Sequence, residues 1–203
     1  IKCGEADVIM AGGTDSMSCA QYTAEKVRYG ANIGHVELRD SMWDSLSNLG
    51  VGPAMGITAE NLAAKFNISR EEQDELSLLS QKRAIHAIDR GYFREEIIPY
   101  EIKGRIKTEV VEVDEFPRRD SSIDSLARLK PSFQEGGTVT AGNASGINDG
   151  SAGVLLMSES RAREYGLPVL AKIISTATTG VEPEIMGIGP VSASMKALKK
   201  AGL

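Results

Sequence analysis

Cysteine is almost absent from this sequence: Cys3 and Cys19 are the only two. They make no disulfide framework and no zinc spacing, which fits a reducing compartment. Basic charge is not in excess either. A formal net charge of −5 argues against a general nucleic-acid binder, which carries a basic surface. No apolar run approaches the roughly 20 residues that cross a bilayer, so no membrane partner is expected. His35 and His86 are the only histidines, far apart and without a paired cysteine or carboxylate at ligand spacing, so no metal site is expected. No glycine precedes Lys-Ser or Lys-Thr, which removes the phosphate loop. No serine sits in a G-x-S-x-G elbow. Neither cysteine reads as a primed nucleophile: Cys3, next to Lys2, precedes a glycine turn, and Cys19 follows Ser16-Met17-Ser18 in a polar stretch. These absences leave a soluble, intracellular protein, with the cytoplasm as the expected compartment and no reactive group in view.

What is present is ordinary in bulk. The chain has 203 residues, 41% hydrophobic and 25% charged. A compact chain near this size buries roughly 70% of its unfolded surface, enough for a real core. The ends are less ordinary. The sequence starts at Ile1 rather than Met, "IKCGEADVIMAGG" reads as the tail of a helix entering a strand, and "SMKALKKAGL" closes on a helix with Gly202 as its stop. A segment of a longer protein is the expectation, and a missing targeting signal then says nothing.

Residues 7–11, "DVIMA", form an apolar run that Gly12-Gly13 should end as a buried strand. Residues 14–56 are polar and irregular, with Gly30, Gly34, Gly50, Gly52 and Pro53, and read as loops with one short helix. A helix follows from Thr58, its expected N-cap. Ser69 and Glu72 then supply a capping box for a long helix that Gly91 stops. Residues 98–113 alternate as a two-stranded ribbon around Gly104-Arg105, with Pro99 keeping the first strand at an edge. A short helical piece is expected at 125–129, a strand at 154–157, a helix at 159–167, a long strand at 168–181, and a last helix with Pro190 in its first turn. This is an α/β scaffold interrupted by a mostly helical insertion.

The densest signal is "TVTAGNASGINDGSAGVLLM", residues 138–157, with Gly142, Gly146, Gly150 and Gly153 among alanines and serines. It lacks the G-x-G-x-x-G order and precedes a strand instead of following one. Small residues at this density let a backbone come close to something. Two readings stay open: bulges and tight turns where chain segments cross, or a ligand's path.

"AGGTDSMS", "MGITAENLAAKFNISREEQDELSLLSQKRA", "GTVTAGNASGINDGSAGVLLMSE" and "MGIGPVSASMKALKKAGL" together resemble the thiolase family, the acetyl-CoA acetyltransferases of the short-chain biosynthetic type. The likeness runs over essentially the whole chain, in the family's order. The insertion's blocks match thiolases rather than ketoacyl synthases. The resemblance implies a partial, layered α/β thiolase fold: residues 1–13 end the N-terminal half, 14–137 are an inserted coenzyme A-binding loop domain, 138–166 return to the N-terminal half, and 167–203 begin the C-terminal half.

It also implies contacts with coenzyme A. Arg118 falls beside the nucleotide end, where a guanidinium fork suits a phosphate or an adenine face. Ser125, Leu126 and Leu129 fall at the adenine. Phe133, Leu46 and Met55 fall along the pantetheine and acyl tunnel, and Ala141 and Ser145 beside the pantetheine arm. Phe133, Leu46 and Met55 also have a plainer reading as ordinary core. Two positions depart from the family: Ala54 stands where many members have a histidine, and Arg119 where a neutral residue or histidine is frequent.

The family's chemistry joins two acyl-CoA molecules, or cleaves their product, through an acylated cysteine. It uses a histidine in G-H-P-x-G, a second cysteine in C-x-G-G-G and an asparagine in N-E-A-F-A. None of these motifs occurs in residues 1–203. The resemblance puts the nucleophile before Ile1 and the others beyond Leu203, so the chain alone is expected to be inactive, with coenzyme A thioester as substrate and no separate cofactor. A non-catalytic coenzyme A-binding module is the alternative. Fatty acid metabolism and a homo-oligomer, dimer or tetramer, are what family membership would further imply.

Overall fold

In a computed structural model of the chain, the described residues are 1–47 and 52–203. Gly50, read above as part of a loop, lies outside them. The chain forms two compact units, residues 1–58 with 147–203 and residues 59–146. This is a division by packing; the limits 14–137 are a division by family role, and the two do not coincide.

The first unit is built on an antiparallel pair, β1 (Val8–Ser16) against β6 (Asp149–Met157). Gly12 and Gly13 do not end β1. They run through its middle because β6 sets Gly153 and Ala152 opposite them, small residue against small residue. A Cβ on Gly12 would lie 2.6 Å from the Ala152 carbonyl oxygen, so the pair closes only with glycine there. Beyond β1 the chain makes a 3-10 turn, Met17–Cys19. Asp149 ties that turn down: its carboxylate accepts the Ser18 hydroxyl and, at 2.8 Å, the Ser18 amide. Those bonds, the hydroxyl's first, hold the Asp149 carboxyl below its usual pKa.

A small ribbon follows, β2 (Tyr22–Ala24) with β3 (Leu38–Asp40), then the helix α1 (Ser41–Ser47), the one short helix expected in this stretch. The unit is completed by three later elements. Helix α5 (Glu159–Glu164) is capped by Ser158 and a 3-10 segment spans Pro183–Ile188; α6 (Gly189–Ala201) has Pro190 in its first turn and Gly202 left-handed at its end. Residues 168–181 do not form the expected strand. They make no ladder among the described residues; α6 side chains take the backbone groups instead, with Lys196 Nζ donating to the Thr178 carbonyl and Lys200 Nζ to that of Thr176.

The second unit takes most of α2 (Met55–Phe66), then α3 (Arg70–Arg90), the ribbon β4 (Tyr100–Lys103) with β5 (Thr108–Val111), and α4 (Ile123–Ala127). Helix α2 starts a turn before Thr58, whose hydroxyl donates to the Met55 carbonyl at 2.6 Å instead of capping. The Ser69–Glu72 box is complete, and Gly91 ends α3 at φ 70. A second capping box, Ser122 with Ser125, opens α4.

Among the described residues the core that this length allows stays small. The buried apolar side chains described are Ala63, Leu126, Val139 and Ala162. A sheet of two strands cannot enclose its own faces, and Met10, Val154 and Leu155 stay 82%, 58% and 55% exposed.

Candidate functional site

Seven of the nine residues singled out above lie in the second unit, and two of them, Ala141 and Ser145, sit on a strap, residues 138–146. The strap has no ladder among the described residues beyond an isolated bridge, Thr140 to Pro131. Side chains replace it. Glu60, on α2 and nearly buried, accepts the amides of Thr138 and Val139 at 2.8 Å and the Thr138 hydroxyl at 2.8 Å. Burial pushes this carboxyl's pKa up, but the amides of Val139 and Thr138 and the Thr138 hydroxyl together outweigh it, so the pKa lies below the ordinary value. From α3, Gln73 donates to the same Thr138 hydroxyl at 2.9 Å. Asn143 completes the fixing: Oδ1 accepts the Thr140 amide at 2.7 Å, while Nδ2 donates to the Thr138 carbonyl and to Asp74, both at 3.0 Å.

Asp74, 3% exposed, also takes Arg70 Nε at 2.7 Å. Arg70 spends a second nitrogen on the Leu126 and Leu129 carbonyls, at 2.6 and 3.2 Å. Both carbonyls lie at or just beyond the end of α4, and that of Leu126 also accepts the Leu129 amide at 3.0 Å. One bonded chain therefore runs from the strap through α3 to α4.

The glycines of this region divide between close approach to the protein's own side chains and open space. A Cβ on Gly142 would lie 2.5 Å from Leu129 Cδ1 and 2.6 Å from Leu126 Cδ2. One on Gly146 would run into the Phe116 ring, and one on Gly137 into the Glu60 carboxylate. At these positions the something is the protein's own side chains. Gly150 meets nothing within 4 Å.

The candidate residues fall as follows. Ala141 and Ser145 are exposed on the strap, and the Ser145 hydroxyl has no partner among the described residues. Ser125 is half-buried, its hydroxyl donating to the Ser122 carbonyl at 2.8 Å; Leu126 is buried beneath Gly142, and Leu129 is 37% exposed. Phe133 is half-buried. Arg118 is exposed, tethered by its backbone amide to Gln81 Oε1 at 2.8 Å, with a guanidinium that has no partner among the described residues. Its neighbour Arg119 forms a two-pronged ion pair with Asp89, at 2.7 and 3.1 Å. In the first unit, Leu46 lines a cleft of about 260 Å³ with Met17, Ala20 and Met42, and Met55 stands at the first residue of α2. Glu60, Asp74 and Asn143 were not legible as site residues: the bonds from Glu60 to the strap and from Asn143 to Asp74 span 69 to 79 residues, and a lone carboxylate in a helix reads as a solvated face.

Among the described residues no three His, Cys, Asp or Glu side chains group as metal ligands would, and no helix is long and apolar enough to cross a membrane. The sheet-bearing unit and the helix-braced glycine strap define a partial α/β fold of the thiolase kind. Residues 1–160 match the family model "Thiolase, N-terminal domain", and the chain belongs to the thiolase family. It is 51% identical to an acetyl-CoA acetyltransferase of Pseudomonas aeruginosa, over 100% of this chain and 52% of that protein. Among solved structures it resembles the Bacillus anthracis acetyl-CoA acetyltransferase, with TM-score 0.92 and 46% identity over 98% of this chain and 50% of the other. It also resembles human mitochondrial 3-ketoacyl-CoA thiolase in complex with CoA, with TM-score 0.91 and 46% identity over 99% and 50%. The chain spans about half the length of the curated relatives it matches.

Proposed function

We propose that this chain supplies the coenzyme A-binding part of an acetyl-CoA C-acetyltransferase, which condenses two acetyl-CoA to acetoacetyl-CoA or runs the thiolysis in reverse. The observation that carries the reading is the strap: a backbone segment held by helix side chains, with Ala141 and Ser145 left exposed on it. In this reading Ala141 and Ser145 meet the pantetheine arm and Phe133 lies along the thin acyl end, while for Met55 and Leu46 of the first unit the tunnel role rests on the family likeness alone. Ser125, Leu126 and Leu129 stand at the adenine, with Leu126 acting from beneath. The unpaired Arg118 takes a phosphate or stacks on the base.

The proton transfers and the acyl-cysteine of the reaction need groups that residues 1–203 do not contain, so the chain by itself binds and does not turn over. Acyl-CoA is its partner, a homo-oligomer, dimer or tetramer, its assembly, and cytoplasmic acyl-CoA and fatty acid metabolism its setting. The missing motifs equally favour a second reading, a coenzyme A-binding module with no catalytic role. Calorimetry with coenzyme A, run beside an acetoacetyl-CoA cleavage assay, tests both. Binding without cleavage is the expected result. Cleavage above background by this chain alone sinks the assignment of the chemistry to groups outside it. A folded sample that gives no heat sinks the site.

A further inference from the structure

Five of the strap's nine amides find their acceptors without a sheet. Those of Thr138 and Val139 end on Glu60, that of Thr140 on Asn143 Oδ1, that of Gly142 on the Thr140 hydroxyl at 3.2 Å, and that of Asn143 on the Thr140 carbonyl at 3.3 Å. Glu60 does this as a nearly buried carboxylate with no ion-pair partner among the described residues. Keeping such a charge out of water is expensive unless all its donors stay in place. Asp74, equally buried, joins the strap to α4 through Asn143 on one side and Arg70 on the other. None of these groups points its bonding atoms at Ala141 or Ser145.

We propose that Glu60, Asp74 and Asn143 are positioning residues. They set the height of the strap against α4, so that the exposed Ala141 and Ser145 meet the arm of bound coenzyme A while the three side chains never touch it. This rests on the coenzyme A reading above. Holding by side chains instead of a ladder leaves Ser145 exposed, with no strand paired beside it among the described residues. It also makes the geometry of the arm's contacts depend on atoms far from them in sequence, because the Pro131–Thr140 bridge and the Ser132 amide on the Val139 carbonyl are the strap's only backbone pairing with another segment among the described residues.

The test uses the 203-residue chain and two ligands, coenzyme A and 3′,5′-ADP, the nucleotide half without the arm. Titration calorimetry is run on the wild type, Glu60→Gln and Asn143→Ala, with amide hydrogen exchange across residues 138–143. Glu60→Gln keeps the volume and guards against a variant that does not fold. The expected result is a loss of about tenfold in coenzyme A affinity in both variants, with 3′,5′-ADP affinity held within about twofold and faster exchange at Thr138 and Val139. Folded variants with unchanged coenzyme A affinity overturn the proposal, as does an equal loss for both ligands. Unchanged exchange in Glu60→Gln overturns the clamp alone. A wild type that binds neither ligand removes the coenzyme A reading and the positioning role with it, while the exchange result still judges the clamp.

Discussion

Glu60 and Val139 lie 79 residues apart in the chain and meet at 2.8 Å, carboxylate oxygen to amide nitrogen. That bond and its companions at Thr138 make one side chain of α2 the anchor of a segment that no sheet supports. The consequence is thermodynamic before it is functional.

Removing the carboxylate leaves two strap amides without their acceptor. Glu60→Ala should therefore destabilise the second unit by about 2–4 kcal/mol, and Glu60→Gln by about 1, since its neutral amide oxygen accepts the strap amides more weakly than the carboxylate and its NH2 can no longer accept from Thr138. Chemical denaturation of each variant checks the ranking.

The same group sets a pH dependence. Its pKa in the fold lies below the ordinary 4.5, so the folded state favours the charged form. The stabilisation is fully present above 4.5 and is lost as pH falls below it through the lowered value. Denaturation curves taken down to about pH 3 should show that loss in the wild type and a smaller one in Glu60→Gln. An identical slope in the two proteins would remove Glu60 as its source.

Gly142 gives a test by volume. Gly142→Ala should be destabilising by about 1–3 kcal/mol, because the new methyl meets Leu129 and Leu126 at 2.5 and 2.6 Å. Leu129 is 37% exposed and able to give way, so Leu129→Ala in the same chain should recover part of the loss, a coupling that a double-mutant cycle measures. Gly150→Ala is the control: nothing lies within 4 Å of its Cβ, and the change should stay within about 0.5 kcal/mol.

These predictions divide along the line between what was and was not legible in the sequence. The Ser69–Glu72 box and the Gly91 and Gly202 stops were readable because each is settled within a turn of helix. The ribbon was readable from alternation. The extent of β1 was not, because Gly12 and Gly13 stay in a strand only when small residues face them, and Gly153 and Ala152 do so from far along the chain. Residues 168–181 have the β-branched content of a strand but find helix side chains beside them in place of a ladder. At the candidate site, the family likeness supplied the residues named as coenzyme contacts. The braces behind them, Glu60, Asp74 and Asn143, carry no local signature, because a buried carboxylate differs from a solvated one only in what the fold brings to it.

Arg118 and Arg119 are adjacent and chemically identical, yet they should behave differently. The Arg119 guanidinium is engaged with Asp89, whose carboxyl pKa is held down first by the hydrogen bond from Arg119 and then by its charge. This pair is on the surface, where salt and side-chain entropy leave it little net worth, so Arg119→Ala should leave thermal stability unchanged. It should also raise the Asp89 titration midpoint in an NMR pH series. Arg118 is tethered only by its backbone to Gln81, and its charge is free for a ligand. Arg118→Ala should weaken coenzyme A binding about tenfold, with Arg119→Ala within about twofold, and the Arg118 effect should shrink as salt is raised. Calorimetry of the two variants at low and high salt separates them. Equal losses would mean that the Arg119–Asp89 pair opens to the ligand and that the nucleotide contact belongs to both arginines.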